Sequence, residues 1–97
     1  MTTKSCATTM KLLGDYWTLR IIDSLRTDNL RFCELQRRVD NLNPVTLTSR
    51  LKKLETSGLL NRIEDLEDEI SVNYELSSKG RNALPVIDAL NKFSTKI

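Results

Sequence analysis

The sequence contains no histidine, and its only two cysteines, Cys6 and Cys33, are 27 positions apart. Without histidine the chain lacks the commonest general base and the usual partner of a serine or cysteine nucleophile. Two cysteines that form no CxxC pattern cannot supply the roughly four nitrogen or sulfur ligands of a structural zinc site. We therefore predict that the protein is not an enzyme and that it holds no metal and no cofactor.

Long apolar stretches are also absent, and no run approaches the ~20 residues that a bilayer-spanning helix needs. Residues 2–9 are polar and lack the apolar segment of a secretory signal, so the cytoplasm is the default expectation for localisation. With 97 residues, 39% of them hydrophobic and 29% charged, the composition is typical of a single globular domain over residues 1–97.

Acidic side chains are concentrated in one segment. Residues 63–70, IEDLEDEI, include five acidic side chains and no basic one. Outside residues 63–76 the chain carries 15 basic and 7 acidic side chains, a balance of +8 that the whole-chain charge of +2 hides. The rest of the surface is therefore expected to be basic.

Apolar periodicity predicts three helices in the first half of the chain. The first covers about residues 5–13, and Asp15 can cap a second one. Residues 30–32 are too few for more than a minimal edge strand, and a third helix fits residues 32–39.

The strongest helix start in the sequence follows at Asn43, a favourable N-cap residue. Pro44 then takes the first helical position, where its missing N–H costs nothing. Gly58 ends this helix, so a short turn joins two helices over about residues 32–57. The outer side of the second helix carries a polar and basic stripe at helical spacing, consisting of Thr46, Ser49, Arg50 and Lys53.

Two strands, residues 59–64 and 71–76, are predicted next, and the acidic segment becomes the tip of their hairpin. A last helix begins at Ser77 or Ser78, and Pro85 should kink or break it. The predicted fold class is therefore mainly α with a small β-hairpin (α+β). It is a winged helix-turn-helix with extra helices at both ends, over about residues 5–13 and 78–95, and with the wing over about residues 59–76.

Four segments resemble a known family, the HxlR-type transcription regulators, which are related to the MarR group. They are LLGDYWTLRIIDSL, RFCELQRRV, NPVTLTSRLKKLETSGLLNR and VNYELSSKGRNALPVIDAL. The third is similar to the family's recognition helix, with its L-T-x-R-L-x-x-L-x-x-x-G-L-x-x-R pattern, and the fourth is similar to the family's V-x-Y-x-L-[ST]-x-x-G ending. The resemblance covers nearly the whole chain, in the family's order and spacing.

This resemblance implies a homodimer that binds double-stranded DNA at a palindromic operator. The recognition-helix positions carried over from the family are Pro44, Val45, Thr46, Thr48, Ser49, Arg50 and Lys53, and Arg62 matches a basic position at the base of the wing. Arg50 is the first candidate for reading bases, because a guanidinium can bond guanine through two parallel contacts. Lys53, Lys52, Arg37 and Arg38 are expected to contact phosphates. The terminal helices carry more apolar side chains than one small core needs, and the predicted dimer interface consists of Met10, Leu13, Leu84, Ile87, Leu90 and Phe93.

The chain departs from the family in two places. The family's Cys-Pro pair stands thirteen residues before the tryptophan, whereas Cys6 stands eleven residues before Trp17 and is followed by Ala7. The family's wing tip carries proline and a basic side chain, whereas here it is acidic, which would repel phosphates within about a Debye length, ~8 Å. We therefore expect that the tip stays out of the minor groove.

Two other functions remain open at the level of the sequence. One is a winged-helix module for protein–protein interaction that uses the acidic hairpin, and the other is a regulator that senses oxidants through Cys6. The operator, the target genes, the direction of regulation and any small-molecule effector cannot be read from the sequence.

Overall fold

A computed structural model describes residues 6–65 and 71–97 of the chain. Its elements confirm the predicted winged helix-turn-helix. In chain order they are α1 (Cys6–Leu13), α2 (Tyr16–Ser24), β1 (Leu30–Arg31), α3 (Phe32–Arg38), α4 (Pro44–Thr56), β2 (Leu60–Asp65), β3 (Ser71–Leu76), α5 (Ser78–Arg81) and α6 (Leu84–Ser94).

Local capping explains where the two principal helices begin. Asp15 precedes α2 in an extended conformation, and its carboxylate accepts a hydrogen bond from the Thr18 N–H at 3.1 Å. Asn43 caps α4 in the predicted way, because its side-chain oxygen accepts from the Val45 N–H at 2.8 Å. Pro44 follows as the first residue of α4.

Replacing Asn43 with Ala is expected to destabilise the fold by about 1 kcal/mol, since the substitution leaves a helix-terminal N–H without its side-chain acceptor. Urea unfolding followed by circular dichroism measures this loss. Asn43→Ser is the control, because serine also caps helices and should retain most of the stability. Equal losses in the two variants would contradict the capping role.

Three residues with positive φ shape the loops on either side of α4. Asp40 and Asn41, in the turn between α3 and α4, have φ of 57° and 54°, values at which aspartate and asparagine are enriched among non-glycine residues. Gly58, which follows α4, has φ of 79°, so the tight turn into the wing depends on glycine there.

The three strands form an antiparallel sheet in the order β1-β3-β2. The wing hairpin pairs β2 with β3 from Leu60 opposite Leu76 to Asp65 opposite Ser71. The predicted acidic tip, with Glu67, Asp68 and Glu69, lies outside the described residues.

The core lies between α2, α3, α4 and the sheet. Its most deeply buried side chains come from all of these elements and include Ile21, Ile22, Leu35, Val39, Leu47, Leu54 and Leu60. Gly80 in α5 approaches the chain so closely that a Cβ there would stand 2.1 Å from the Leu59 carbonyl oxygen. Only glycine therefore allows α5 to pack against the start of the wing.

The last predicted helix is broken in two, as Pro85 led us to expect. A continuous helix would need an N–H at position 85 to bond the carbonyl of Arg81, and proline has none. The chain instead makes a tighter turn, in which the Ala83 N–H donates to the Gly80 carbonyl at 3.0 Å. Pro85 is then the second residue of α6. None of the helices in the described ranges is long and apolar enough to cross a bilayer.

Candidate nucleic-acid interface

The outward side of α4 can be identified as the side opposite its buried residues. Leu47, Leu51 and Leu54 are buried in the core. At 100° per residue, the opposite side runs through Val45, Ser49, Lys52 and Thr56, which lie within about 60° of one another around the helix. All four side chains are exposed, and we call this set the recognition face.

The predicted stripe on α4 is only partly exposed. Ser49 and Lys53 are exposed, as are Pro44 and Thr48, whereas Thr46 and Arg50 are half-buried on the flank of the helix. Lys52, which the sequence suggested only for phosphate contact, is more central to the recognition face than Arg50. The structure thus places the predicted base-reading arginine beside the outward surface rather than on it.

Arg50 is turned toward α2, where it pairs with Asp15. Its Nε donates to Asp15 Oδ2 at 2.7 Å, and its Nη2 approaches Oδ1 at 3.4 Å. Asp15 Oδ2 also accepts from the Thr18 Oγ1 at 2.8 Å, so one carboxylate both caps α2 and holds Arg50. No sequence signal revealed this pair, because the two residues stand 35 positions apart.

The Arg50 hydrogen bond is the main reason that the pKa of Asp15 lies below its ordinary value, although partial burial opposes the shift. The same bond raises the pKa of Arg50. A lowered carboxylate pKa means that this stabilisation is fully present above the ordinary value of about 3.9 and is lost only in stronger acid. The pair is therefore ionised throughout the physiological range.

A second set of contacts holds the turn between α3 and α4 against α2. The Tyr16 hydroxyl donates to Asp40 Oδ2 at 3.1 Å. The Arg20 Nη2 donates to the Arg38 carbonyl oxygen at 2.9 Å and lies 3.4 Å from Asp40 Oδ1. Helix α2 and its cap residue Asp15 therefore contact both the turn of the helix-turn-helix and its second helix.

The basic residues predicted to flank the recognition helix are exposed. Arg37 and Arg38 lie in the last turn of α3, and Arg38 Nη1 is 3.5 Å from Asp28 Oδ2. Arg62 lies in β2 and pairs with Glu64, which is the main reason that the pKa of Arg62 is raised. All three cations are thus on the surface, and two of them already have an acidic neighbour.

Helices α1, α2 and α6 border an open groove of about 530 Å³, which we call the terminal groove. Its lining is almost entirely apolar and includes Cys6, Met10, Leu13, Tyr16, Val86 and Leu90. Phe93, three residues after Leu90 on α6, is also exposed, at 59%.

The predicted dimer stripe on α6 is divided between two sides of the helix. Ile87 is only 7% exposed and Leu84 is half-buried against the core, so both pack within this chain. The prediction that Ile87 belongs to the dimer interface is therefore wrong, because its side chain is buried in the core of its own chain. Leu90 and Phe93 remain exposed, together with Val86, which the sequence prediction missed. The spacing of Val86, Leu90, Phe93 and Ile97, at i, i+4, i+7 and i+11, could have revealed this second stripe.

Both cysteines are free and exposed. Cys33 lies on α3. Cys6 lies at the terminal groove. Within residues 6–65 and 71–97, no three His, Cys, Asp or Glu side chains are grouped so that they could hold a metal ion.

Comparisons with known proteins agree with this geometry. The model of the HxlR-like helix-turn-helix family matches residues 12–97. Among solved structures, YtcD, described as an HTH-type transcriptional regulator, is 30% identical with a TM-score of 0.88, and the match covers 97% of this chain and 96% of that one. The reduced form of the transcriptional regulator YodB from B. subtilis is 26% identical with a TM-score of 0.88, over 100% and 95% of the two chains.

A further solved structure, a MarR-family regulator from Porphyromonas gingivalis W83, is 29% identical with a TM-score of 0.85, over 98% and 95% of the two chains. The comparison with curated proteins found no significant match.

Proposed function

Because the chain belongs to the HxlR-like helix-turn-helix family, and is therefore a DNA-binding transcription regulator, we propose that it acts as a homodimer on a palindromic operator. The observation that carries the proposal is the recognition face of α4, which presents apolar, hydroxyl and ammonium groups outward from a well-capped helix. In helix-turn-helix proteins the second helix enters the major groove and its first residues contact base edges.

The exposed side chains on and beside the recognition face suit different kinds of contact with DNA. Val45 is 77% exposed at the start of α4, and an apolar side chain in this place suits contact with a thymine methyl group. Thr48 and Ser49 can donate or accept hydrogen bonds at base edges or phosphates. Lys52 and Lys53, one turn further along, suit contacts with phosphates.

Flanking contacts would come from Arg37 and Arg38 beside the helix-turn-helix and from Arg62 at the base of the wing. Arg62 shares its guanidinium with Glu64, so we expect a weaker phosphate contact from it than from an unpaired arginine. The acidic tip is expected to remain outside the minor groove.

The homodimer is supported by the terminal groove and the exposed stripe of α6. Met10, Leu90 and Phe93 are large apolar side chains at least 46% exposed; the first two line the groove, and Phe93 follows Leu90 by three residues on α6. A two-fold dimer buries the same surface on both copies and would cover this region twice. It would also place two recognition helices on half-sites about one helical turn apart.

The rest of the proposal follows from this role. The similar regulators from B. subtilis and Porphyromonas gingivalis come from bacteria, whose DNA lies in the cytoplasm, and we propose that compartment for this chain. We propose no catalytic activity, since the side chains on the recognition face suit binding rather than proton transfer.

Selection of bound sequences from random duplex DNA with the purified full chain tests the function. We expect enrichment of a palindrome whose half-sites are about 10 base pairs apart between centres. Enrichment of no sequence would overturn the proposal and favour the protein–protein interaction module.

Thiol sensing is a second candidate, favoured by the exposed position of Cys6 at the terminal groove. The similar protein YodB has been solved both in its reduced form and after treatment with diamide. In this chain, sensing predicts that diamide changes operator affinity and that Cys6→Ser removes the change. Cys33→Ser is the matched control, since Cys33 is also exposed but lies on α3. An unchanged affinity after diamide treatment of the wild type would exclude sensing by this route.

A further inference from the structure

We propose that Asp15 is a positioning residue of the DNA-binding site, which sets the orientation of the recognition helix by holding Arg50. The inference rests on the proposed function and adds a residue that lies outside the helix-turn-helix itself. Its basis is the paired contact between the carboxylate that caps α2 and the guanidinium on the flank of α4.

The paired contact between Arg50 and Asp15 can set the orientation of α4 as well as its distance from α2. Two nitrogen atoms of the guanidinium face the two oxygen atoms of the carboxylate, which restricts rotation as well as distance. The carboxylate is itself held, because its Oδ2 also accepts from the N–H and the hydroxyl of Thr18. Arg50 is thus held by the same carboxylate that caps the N-terminus of α2.

Apolar packing alone leaves the rotation of α4 less well determined. The hydrophobic effect that holds Leu47, Leu51 and Leu54 in the core has no preferred direction. Side-chain tips lie roughly 5–6 Å from a helix axis, so a rotation of about 20° would move them by about 2 Å. Hydrogen-bond distances vary over only about 0.5 Å, and such a rotation would break base contacts.

The turn before α4 is held to the same helix. Tyr16 and Arg20 of α2 both contact Asp40 in this turn. The same end of α2 therefore holds both the turn that leads into α4 and, through Asp15, the flank of α4 at Arg50. Of these three residues, Asp15 is the one that contacts α4 itself.

The test compares Asp15→Asn with Asp23→Asn in the 97-residue chain. Asparagine at position 15 keeps a capping side chain but loses the charge that pairs with Arg50. Asp23 is the matched control, since it lies on α2, the helix that Asp15 caps, and pairs with Arg26 at 2.9 Å. Both variants remove one acidic group and raise the net charge by one. The measurements are affinity for the selected operator, affinity for an unrelated duplex, the dependence of both on salt, and the thermal midpoint.

We expect Asp15→Asn to weaken operator binding about tenfold relative to Asp23→Asn. Affinity for the unrelated duplex and the salt dependence should be the same in the two variants, because no phosphate contact is lost. The thermal midpoints should also be close, because partly exposed ion pairs contribute little to stability. Arg50→Lys is the second variant; it leaves the α2 cap intact, loses the paired geometry and should show the same selective loss.

Two results would overturn the inference. Equal operator affinities for Asp15→Asn and Asp23→Asn would show that the pair does not orient α4. Tighter operator binding by Asp15→Asn would show that Asp15 competes with DNA for Arg50. Failure of the wild type to select any sequence is a separate result, which overturns the proposed function before any variant is made.

Discussion

Replacing Lys52 with Glu is expected to lower operator affinity on the order of 100-fold or more. Lys52 is exposed near the centre of the recognition face, where DNA would approach α4 most closely. The substitution removes one cation from the phosphates and replaces it with an anion that they repel. Titration of labelled operator at several salt concentrations measures the loss, and the slope of log affinity against log salt should fall by about 0.9 for the lost contact.

Lys96→Glu provides the control for this result. Lys96 is an exposed lysine near the end of the chain, and its reversal changes the net charge by the same amount. Operator affinity should then change only modestly, through the weaker overall field. A similar loss in both variants would show that global charge, rather than the recognition face, governs binding.

The second large effect is expected from the exposed stripe of α6. Replacing Leu90 with Glu should convert the dimer into monomers and reduce operator affinity on the order of 100-fold or more. Leu90 is 46% exposed and lines the terminal groove, so a dimer formed there would have to bury the introduced carboxylate among apolar side chains. A monomer binds one half-site and loses the advantage of two linked contacts. Light scattering coupled to gel filtration measures the mass, and operator titration measures the affinity.

Asn91→Glu is the matched control for the dimer prediction. It introduces the same charge one residue further along α6, at an exposed position about 100° around the helix from Leu90 and outside the apolar stripe. Mass and operator affinity should remain close to those of the wild type. A dimeric Leu90→Glu variant would contradict the terminal groove as the interface, and a monomeric wild type would contradict the homodimer itself.

Much of the secondary structure could be predicted because its signals lie within a few residues of the features they control. Asn43 caps α4 through the N–H two residues away, and Pro44 stands at its first position. Gly58 has the positive φ that the turn into the wing requires. Pro85 removes one N–H and so breaks the last helix.

The outward surfaces were harder to predict, because periodicity identifies an apolar stripe without saying what covers it. On α6, Ile87 and Leu90 are three residues apart and belong to one predicted stripe, but the first is buried in the core and the second is exposed. Helix α6 packs against α2, and the extent of that contact determines which side chains of α6 the chain itself covers. The apolar side chains of α6 that the chain does not cover, such as Leu90 and Phe93, then form an exposed surface.

The sequence by itself determined the order of the elements, their caps and breaks, and the family to which the chain belongs, since these depend on neighbouring residues and on motif spacing. Only the tertiary structure decided that Arg50 faces Asp15, that Tyr16 supports the turn at Asp40, and that Lys52 is exposed near the centre of the recognition face. These facts depend on pairs 35 and 24 positions apart and on the angle at which α4 packs against α2. Such contacts form through the packing of the whole core, and no local pattern encodes them.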